Sequence, residues 1–269
     1  MDDEFLIYLK AKLGERIITT VENADLLLWG VRDSDNVKLL GLTLTIGLED
    51  NEIISRPVKL TNKTVSIIKI AQSISQSIDS VFFVIFYSLS GKFSFKIIPP
   101  KNPLDLSNNI EIEEGKMPKA IEDLFSTNLR DTGTAKPVNK STSDWFHVWT
   151  RANLPRDYVK ANIDGLIQNE KSKPVIFLET KRSYMKSSSW TPYQADSRNY
   201  YLQHLLAKRA GLNFWTIYHQ KGISINDSSD VSLFIISKVS LSDTKWISYE
   251  RFNIKAIEVL ELLEKTCKA

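Results

Sequence analysis

The chain reads as an α/β (α+β) protein in two parts: a smaller α+β N-terminal domain over residues 1–115, and a half over residues 116–269 whose elements run α-β-β-β-α-β around a mixed central sheet. Three observations predict this. Apolar residues alternate between a period of two and a period near 3.6 along the chain. Two breaks interrupt the pattern, Pro99-Pro100-Lys101-Asn102-Pro103 and the turn-rich Asp131-Thr132-Gly133-Thr134-Ala135-Lys136-Pro137. One run, Val175-Ile176-Phe177-Leu178, is apolar at every position, as in a strand buried on both faces.

The elements follow in order. Glu4 to Leu13 predicts a short helix, with Phe5, Leu6, Leu9 and Leu13 along one stripe. Asp25 to Trp29, Leu39 to Ile46 and Ile53 to Leu60 carry the β-branched residues and partial alternation of strands. Thr64 to Ile78 has helical spacing at Val65, Ile68, Ala71, Ile74 and Ile78. Val81 to Ser88 and Lys92 to Ile98 flank Gly91 as a hairpin. In the second half, Pro118 to Asn128 predicts the leading helix, and Trp145 to Thr150 a strand with alternating aromatics. Asp157 to Ile167 and Pro174 to Lys181 follow as strands. A helix from about Tyr193 to Ala210 stops at Gly211, the residue type that favours the left-handed position after a helix. Phe214 to His219 and Val231 to Lys238 are the last strands, and Asn253 to Lys265 a closing amphipathic helix.

Composition narrows the function classes. A net charge of +3 permits a nucleic-acid partner without demanding one, because a local basic patch matters more than the total. The single cysteine, Cys267, excludes an intrachain disulfide and a cysteine-built zinc site. The acidic start, Met1-Asp2-Asp3-Glu4, lacks the basic region of a signal peptide, and the most apolar stretch, Val81 to Phe86, is too short for a bilayer. A cytoplasmic protein with no membrane partner is expected. There is no Gly-x-Ser-x-Gly elbow, no Walker A loop and no Gly-x-Gly-x-x-Gly turn, and His147, His204 and His219 have no zinc spacing.

The chemistry-bearing residues surround the buried strand. Glu179 and Lys181 end it, two residues apart and so on one face, about 7 Å apart along the chain. A charged pair there is costly unless partnered or metal-bound. Asp164 occupies the preceding strand pattern, and the short turn Gln168 to Ser172 folds one strand back on the other. Acid-x-Lys also occurs at Glu114/Lys116 and Asp243/Lys245, but in polar stretches that follow no apolar strand. Either fragment alone reads more readily as a turn carboxylate beside Gly165 or a strand-end salt bridge. Together, two carboxylates suit a hard divalent cation, and a lysine beside them suits charge on a phosphorane.

Ile163-Asp164-Gly165 with Glu179-Thr180-Lys181, in an α-β-β-β-α-β order over roughly Pro118 to Lys238, resembles the PD-(D/E)XK nuclease superfamily, the restriction-endonuclease-like fold. Ile163 stands where the family motif has proline. The resemblance implies Asp164 and Glu179 as ligands of Mg²⁺ or Mn²⁺, the main-chain carbonyl of Thr180 as a third, and Lys181 as an aid to the attacking water. Glu122 is an additional candidate acid. The RecB-like Gln-x-x-x-Tyr signature is absent, since Arg198 follows Gln194 and Ala207 follows Gln203 at that spacing. Arg182, Lys186 and Trp190 after the motif, with Arg156, Lys160 and Arg198, are candidate nucleic-acid contacts.

The function implied is metal-dependent hydrolysis of phosphodiester bonds, of DNA rather than RNA, as an endonuclease in restriction, phage or mobile-element defence, or DNA processing. Residues 1–115 would supply recognition, dimer contacts or sensing. A double cut needs two sites, which makes a homodimer the expected assembly. The alternatives are a catalytically silent nucleic-acid-binding module of the same fold, and a subunit of a larger transposase or defence complex.

Overall fold

The computed structural model describes residues 3–19, 23–33, 36–50, 52, 60–90, 94–99, 101–127, 145–241 and 246–268. In chain order the first elements are α1 (Glu4–Leu13), β1 (Ile17–Ile18), β2 (Ala24–Asp33), β3 (Asn36–Leu48), α2 (Asn62–Ser77), β4 (Val81–Ser88), β5 (Ser94–Ile98) and β6 (Ile110–Glu113). Then come α3 (Met117–Leu124), α4 (Trp145–Asn153), β7 (Tyr158–Asn162), β8 (Gly165–Gln168) and β9 (Pro174–Ser183). The chain ends with α5 (Ser197–Ala210), β10 (Asn213–Gln220), β11 (Asp230–Ser240), β12 (Trp246–Lys255) and α6 (Ala256–Lys268). It is a mixed α+β protein with two six-stranded mixed sheets. Among the described residues no helix is long and apolar enough to cross a membrane.

The chain does not divide at residue 115. One unit is Met1–Thr20 with Ile163–Ala269, and the other is Val21–Asn162, inserted between β1 and β8. The reason lies in strand pairing. Ile17 and Ile18 pair antiparallel with Ile167 and Leu166, so the N-terminal segment completes the sheet of the C-terminal residues.

The discontinuous unit has the strand order β1-β8-β9-β10-β11-β12. β8 runs antiparallel to β1 and to β9, and β9 runs parallel to β10. Element order from its start is therefore α1-β1-β8-β9-α5-β10. α1 and α6 cover one sheet face: Phe5, Leu9 and Leu13 meet Leu178, Trp215, Ile217 and Leu233, with Val259 and Leu263 from α6. Asp3 caps α1 by accepting from the backbone N–H groups of Phe5 and Leu6. On the other face, Phe177 packs edge-on to Phe214, and Tyr200 of α5 packs against Phe214. Gly211 closes α5 at φ 68°, the left-handed conformation its sequence predicts.

The inserted unit has the order β6-β5-β4-β3-β2-β7. Its core gathers Trp29, Phe83, Ile85, Phe95, Ile97, Met117 and Ile121 with Phe146 and Trp149. The helix α2 and the β4–β5 hairpin fall where the sequence places them. The strand expected at Ile53–Leu60 and the break at Asp131–Pro137 lie largely outside the described residues.

Several expectations are corrected. Trp145–Thr150 is helical, because the buried side chains are Phe146, Trp149 and Thr150, an i, i+3, i+4 set that a helix and not a strand brings to one face. The expected strand Asp157–Ile167 is two strands in different sheets, β7 and β8, and the division between units falls between Asn162 and Ile163. The helix at Met117–Leu124 belongs to the inserted unit, so α1, and not that helix, leads the sheet of the motif residues. Trp246–Lys255 forms an edge strand that the sequence reading did not separate from the closing helix.

Candidate metal centre

The site forms where two strands part. β8 pairs with β9 as far as Gly165 opposite Leu178. Beyond that point β9 continues along β10 alone, and Thr180 would present an unpaired N–H. Asp164, just before β8, fills the gap: its Oδ2 accepts from the Thr180 N–H at 2.7 Å and from Thr180 Oγ1 at 3.0 Å. The break in the strand pattern is thus what turns a carboxylate toward the motif. Thr180 is seen orienting Asp164 through these two donors.

Glu179 and Lys181 project from the opposite face of β9. Lys181 Nζ lies 2.5 Å from Glu179 Oε1, and Gln203 Nε2 of α5 donates to Glu179 Oε2 at 2.7 Å. Glu179 and Gln203 are buried. The Lys181 ammonium sits 6.0 Å from the Tyr200 ring centroid. Tyr200 and Gln203 are three apart on α5 and so share its sheet-facing side.

The electrostatics bind the three motif residues into one system. Burial, and then the nearby Glu179 carboxylate, push the Asp164 carboxyl up to about 8 against the pull of Lys181 and the Thr180 hydrogen bonds. Burial alone would lower the Lys181 ammonium, but Glu179, Tyr200 and Asp164 outweigh it and leave it raised. With the Asp164 carboxyl raised, Glu179 and Lys181 form the charged pair of a secluded site, and a bound cation would displace the Asp164 proton. Two buried hydroxyls, Tyr200 Oη and Thr216 Oγ1, have no hydrogen-bond partner among the described residues, and Thr216 lies opposite Glu179 in the β9–β10 register. Oxygen donors, a carboxyl proton that a cation would displace, and orphaned hydroxyls fit a hard divalent cation held by Asp164 and Glu179.

Other candidates lie elsewhere. Arg182 is on the opposite face of β9 from Glu179 and Lys181, with its Nη1 2.8 Å from Glu4. Trp190 is 1% exposed and stacks on Tyr218 at 4.6 Å between centroids and 5° between planes, so it is a core ring and not a free base-stacking surface. Lys186 and Arg198 are exposed. Glu122, Arg156 and Lys160 all belong to the inserted unit. There Glu122 lies 3.5 Å from Lys119, and Lys160 donates to Thr150 Oγ1 at 2.9 Å.

A second group, Asp3, Glu4 and His219, offers ligand atoms within 4.8 Å of one another. His219 Nε2 lies 3.0 Å from Asp3 Oδ2 and Arg182 bridges to Glu4, so a guanidinium already compensates these acids and ties α1 to β9 and β10. Gln203 and Tyr200 are the residues that sequence reasoning missed. The signal was their i, i+3 spacing on a helix that directly follows the motif strand. No known family model matches the chain, and no curated protein is recognisably similar to it in sequence.

Proposed function

We propose that the discontinuous unit is a divalent-metal-dependent nuclease that hydrolyses phosphodiester bonds, with DNA the favoured substrate. The observation that carries the reading is the convergence of Asp164, from the link just before β8, with Glu179 and Lys181 of β9 into one electrostatically coupled group. The element order α1-β1-β8-β9-α5-β10 supports it, because it repeats the α-β-β-β-α-β order of the PD-(D/E)XK superfamily that the motif resembles. Fold likeness alone does not argue function, so the reading rests on the site.

Asp164 and Glu179 would hold Mg²⁺ or Mn²⁺. A cation bound there acidifies a water and draws charge from the phosphate oxygens. Thr180 fixes the Asp164 carboxylate through its two donors. Gln203 fixes Glu179 through Oε2 and so leaves the Oε1 side facing Lys181. Lys181 places its positive charge where the phosphate gains negative charge in the transition state. The orphaned Tyr200 hydroxyl is a further donor at this wall of the site.

The test is cleavage of plasmid, linear duplex, single-stranded DNA and RNA by purified protein, with Mg²⁺ or Mn²⁺ and with chelator. Metal-dependent cutting that Asp164→Asn abolishes is the expected result. All four substrates left intact in the presence of metal would overturn the reading in favour of a silent nucleic-acid-binding module.

A further inference from the structure

Past Lys181 the chain leaves β9 and enters the segment Tyr184–Tyr193, whose backbone is firmly held. Tyr218 Oη bonds the Met185 carbonyl oxygen at 2.7 Å and lies 2.7 Å from Ser183 Oγ. Ser232 Oγ donates to the Ser187 carbonyl at 2.7 Å, and Arg251 Nη2 to the carbonyls of Ser187 and Ser188 at 3.1 and 2.5 Å. Trp190 anchors the far end by stacking on Tyr218 and packing edge-on to Phe234 at 5.2 Å. Side chains that stay outside such a segment are not there because the backbone is slack.

Two tyrosines nevertheless stand outside. Tyr184 is 76% exposed and Tyr193 48%. Burying a large side chain is worth about 1.5–3 kcal/mol, so folding alone gives no reason to present both rings to water. Each is positioned. Lys221 Nζ sits 5.4 Å from the Tyr184 ring centroid, and Tyr193 is braced edge-on by Trp190 at 5.7 Å and 82°. Lys186 is exposed between them in sequence. Tyr184 follows the end of β9, three residues and at most about 10 Å of chain beyond Lys181, which is a distance of one to two nucleotides.

A flat ring next to a cation, with a second exposed ring at the far end of a rigid segment, matches bases and the phosphate between them. Bases inside a duplex already stack on one another and cannot also stack on a protein ring. We propose that the strand is unpaired where it crosses this segment: Tyr184 and Tyr193 stack on bases of a single-stranded or frayed nucleic acid, and Lys186 and Lys221 hold its phosphates. This rests on the nuclease reading for the site and names the substrate class of that site.

The experiment is fluorescence anisotropy with a labelled single-stranded oligodeoxynucleotide, its blunt duplex, and RNA of the same sequence, with Ca²⁺ replacing Mg²⁺. The expected result is single-strand binding at least roughly tenfold tighter than duplex binding. Tyr184→Ala and Tyr193→Ala should each weaken single-strand binding about 5- to 150-fold, the range for loss of one base stack, while duplex binding stays as it was. Tyr184→Phe should bind like the wild type, and unchanged circular dichroism should show that every variant folds. Tighter binding of either DNA or RNA single strand over duplex supports the proposal and identifies the preferred sugar. Duplex bound as tightly as both single strands, or alanine variants that bind single strands like wild type, would overturn it. These binding results are independent of cutting: failure of every substrate to be cleaved with Mg²⁺ would sink the nuclease reading alone.

Discussion

Asp164→Asn should make the metal-free protein more stable, an unusual result for a change at a half-buried, hydrogen-bonded residue. Asparagine keeps a side-chain oxygen for the Thr180 donors but removes the charge. The Asp164 carboxyl is raised from 3.8 to about 8 by burial and by Glu179. A group raised on folding binds more protons folded than unfolded, so its penalty grows as pH climbs from the unfolded value toward the folded one. Near pH 7 the window already crossed is about 3 units, a ceiling of about 4 kcal/mol at ~1.4 kcal/mol per unit. Water reaching this half-buried group lowers that figure, so a gain on the order of 1–3 kcal/mol is expected, or a rise in Tm of roughly 3–10 °C. The gain should vanish near pH 4, where the wild-type carboxyl is protonated in the folded state. Added Mn²⁺ should stabilise the wild type by mass action and leave the variant unmoved. Thermal melts in chelator and in millimolar Mn²⁺ across that pH range measure all of this. A variant that melts below wild type in chelator near pH 7, or an equal Mn²⁺ shift in both proteins, would refute the reasoning.

Other outcomes follow from the same geometry. Lys181→Ala should keep Mn²⁺ binding, measured by calorimetry, and lower the cleavage rate by roughly 10²–10³-fold, the scale of losing one transition-state donor. Gln203→Leu removes the donor that orients Glu179 and should weaken metal affinity or activity about 10- to 100-fold, as for other outer partners of metal ligands; an unchanged affinity and rate would show that Gln203 only packs. Trp190→Ala should cost roughly 3–5 kcal/mol in a denaturant melt, because the ring is core. Replacing Val21–Asn162 with a short Gly/Ser turn should leave a folded unit, since Ile18 already pairs with Leu166 as in a hairpin; a variant without cooperative melting would contradict the two-unit division.

The sequence made the middle of the site legible. Ile176 to Leu178 are buried as the apolar run predicts, with Val175 partly buried, and Glu179 and Lys181 end the run on one face. α1, α2, the β4–β5 hairpin and α5 with its glycine stop were likewise readable from periodicity and turn chemistry. What failed was long-range. β1 is two residues long, too short to carry a pattern, and its partner lies across the whole inserted unit. Nothing local marks Thr20 and Ile163 as the two ends of an insertion. Asp164 looked like an interior strand position because Ala161 and Ile163 before it and Leu166 after it are apolar. Those residues are buried in different units, and the carboxylate sits at the crossing. Trp145 and Trp149, four apart, fit both periods, and only burial decides between them. Trp190 and Arg182 had the residue types of a nucleic-acid surface, but their neighbours Tyr218 and Glu4 turn one inward and the other to the far face of the sheet.

Anomalous diffraction from crystals soaked in Mn²⁺ tests the metal centre most directly. A single anomalous peak within coordination distance of both Asp164 and Glu179, lost in Asp164→Asn crystals, is the predicted result. A peak at Asp3, Glu4 and His219 instead, or carboxylates of Asp164 and Glu179 that remain clear of any ion at saturating Mn²⁺, would contradict the account.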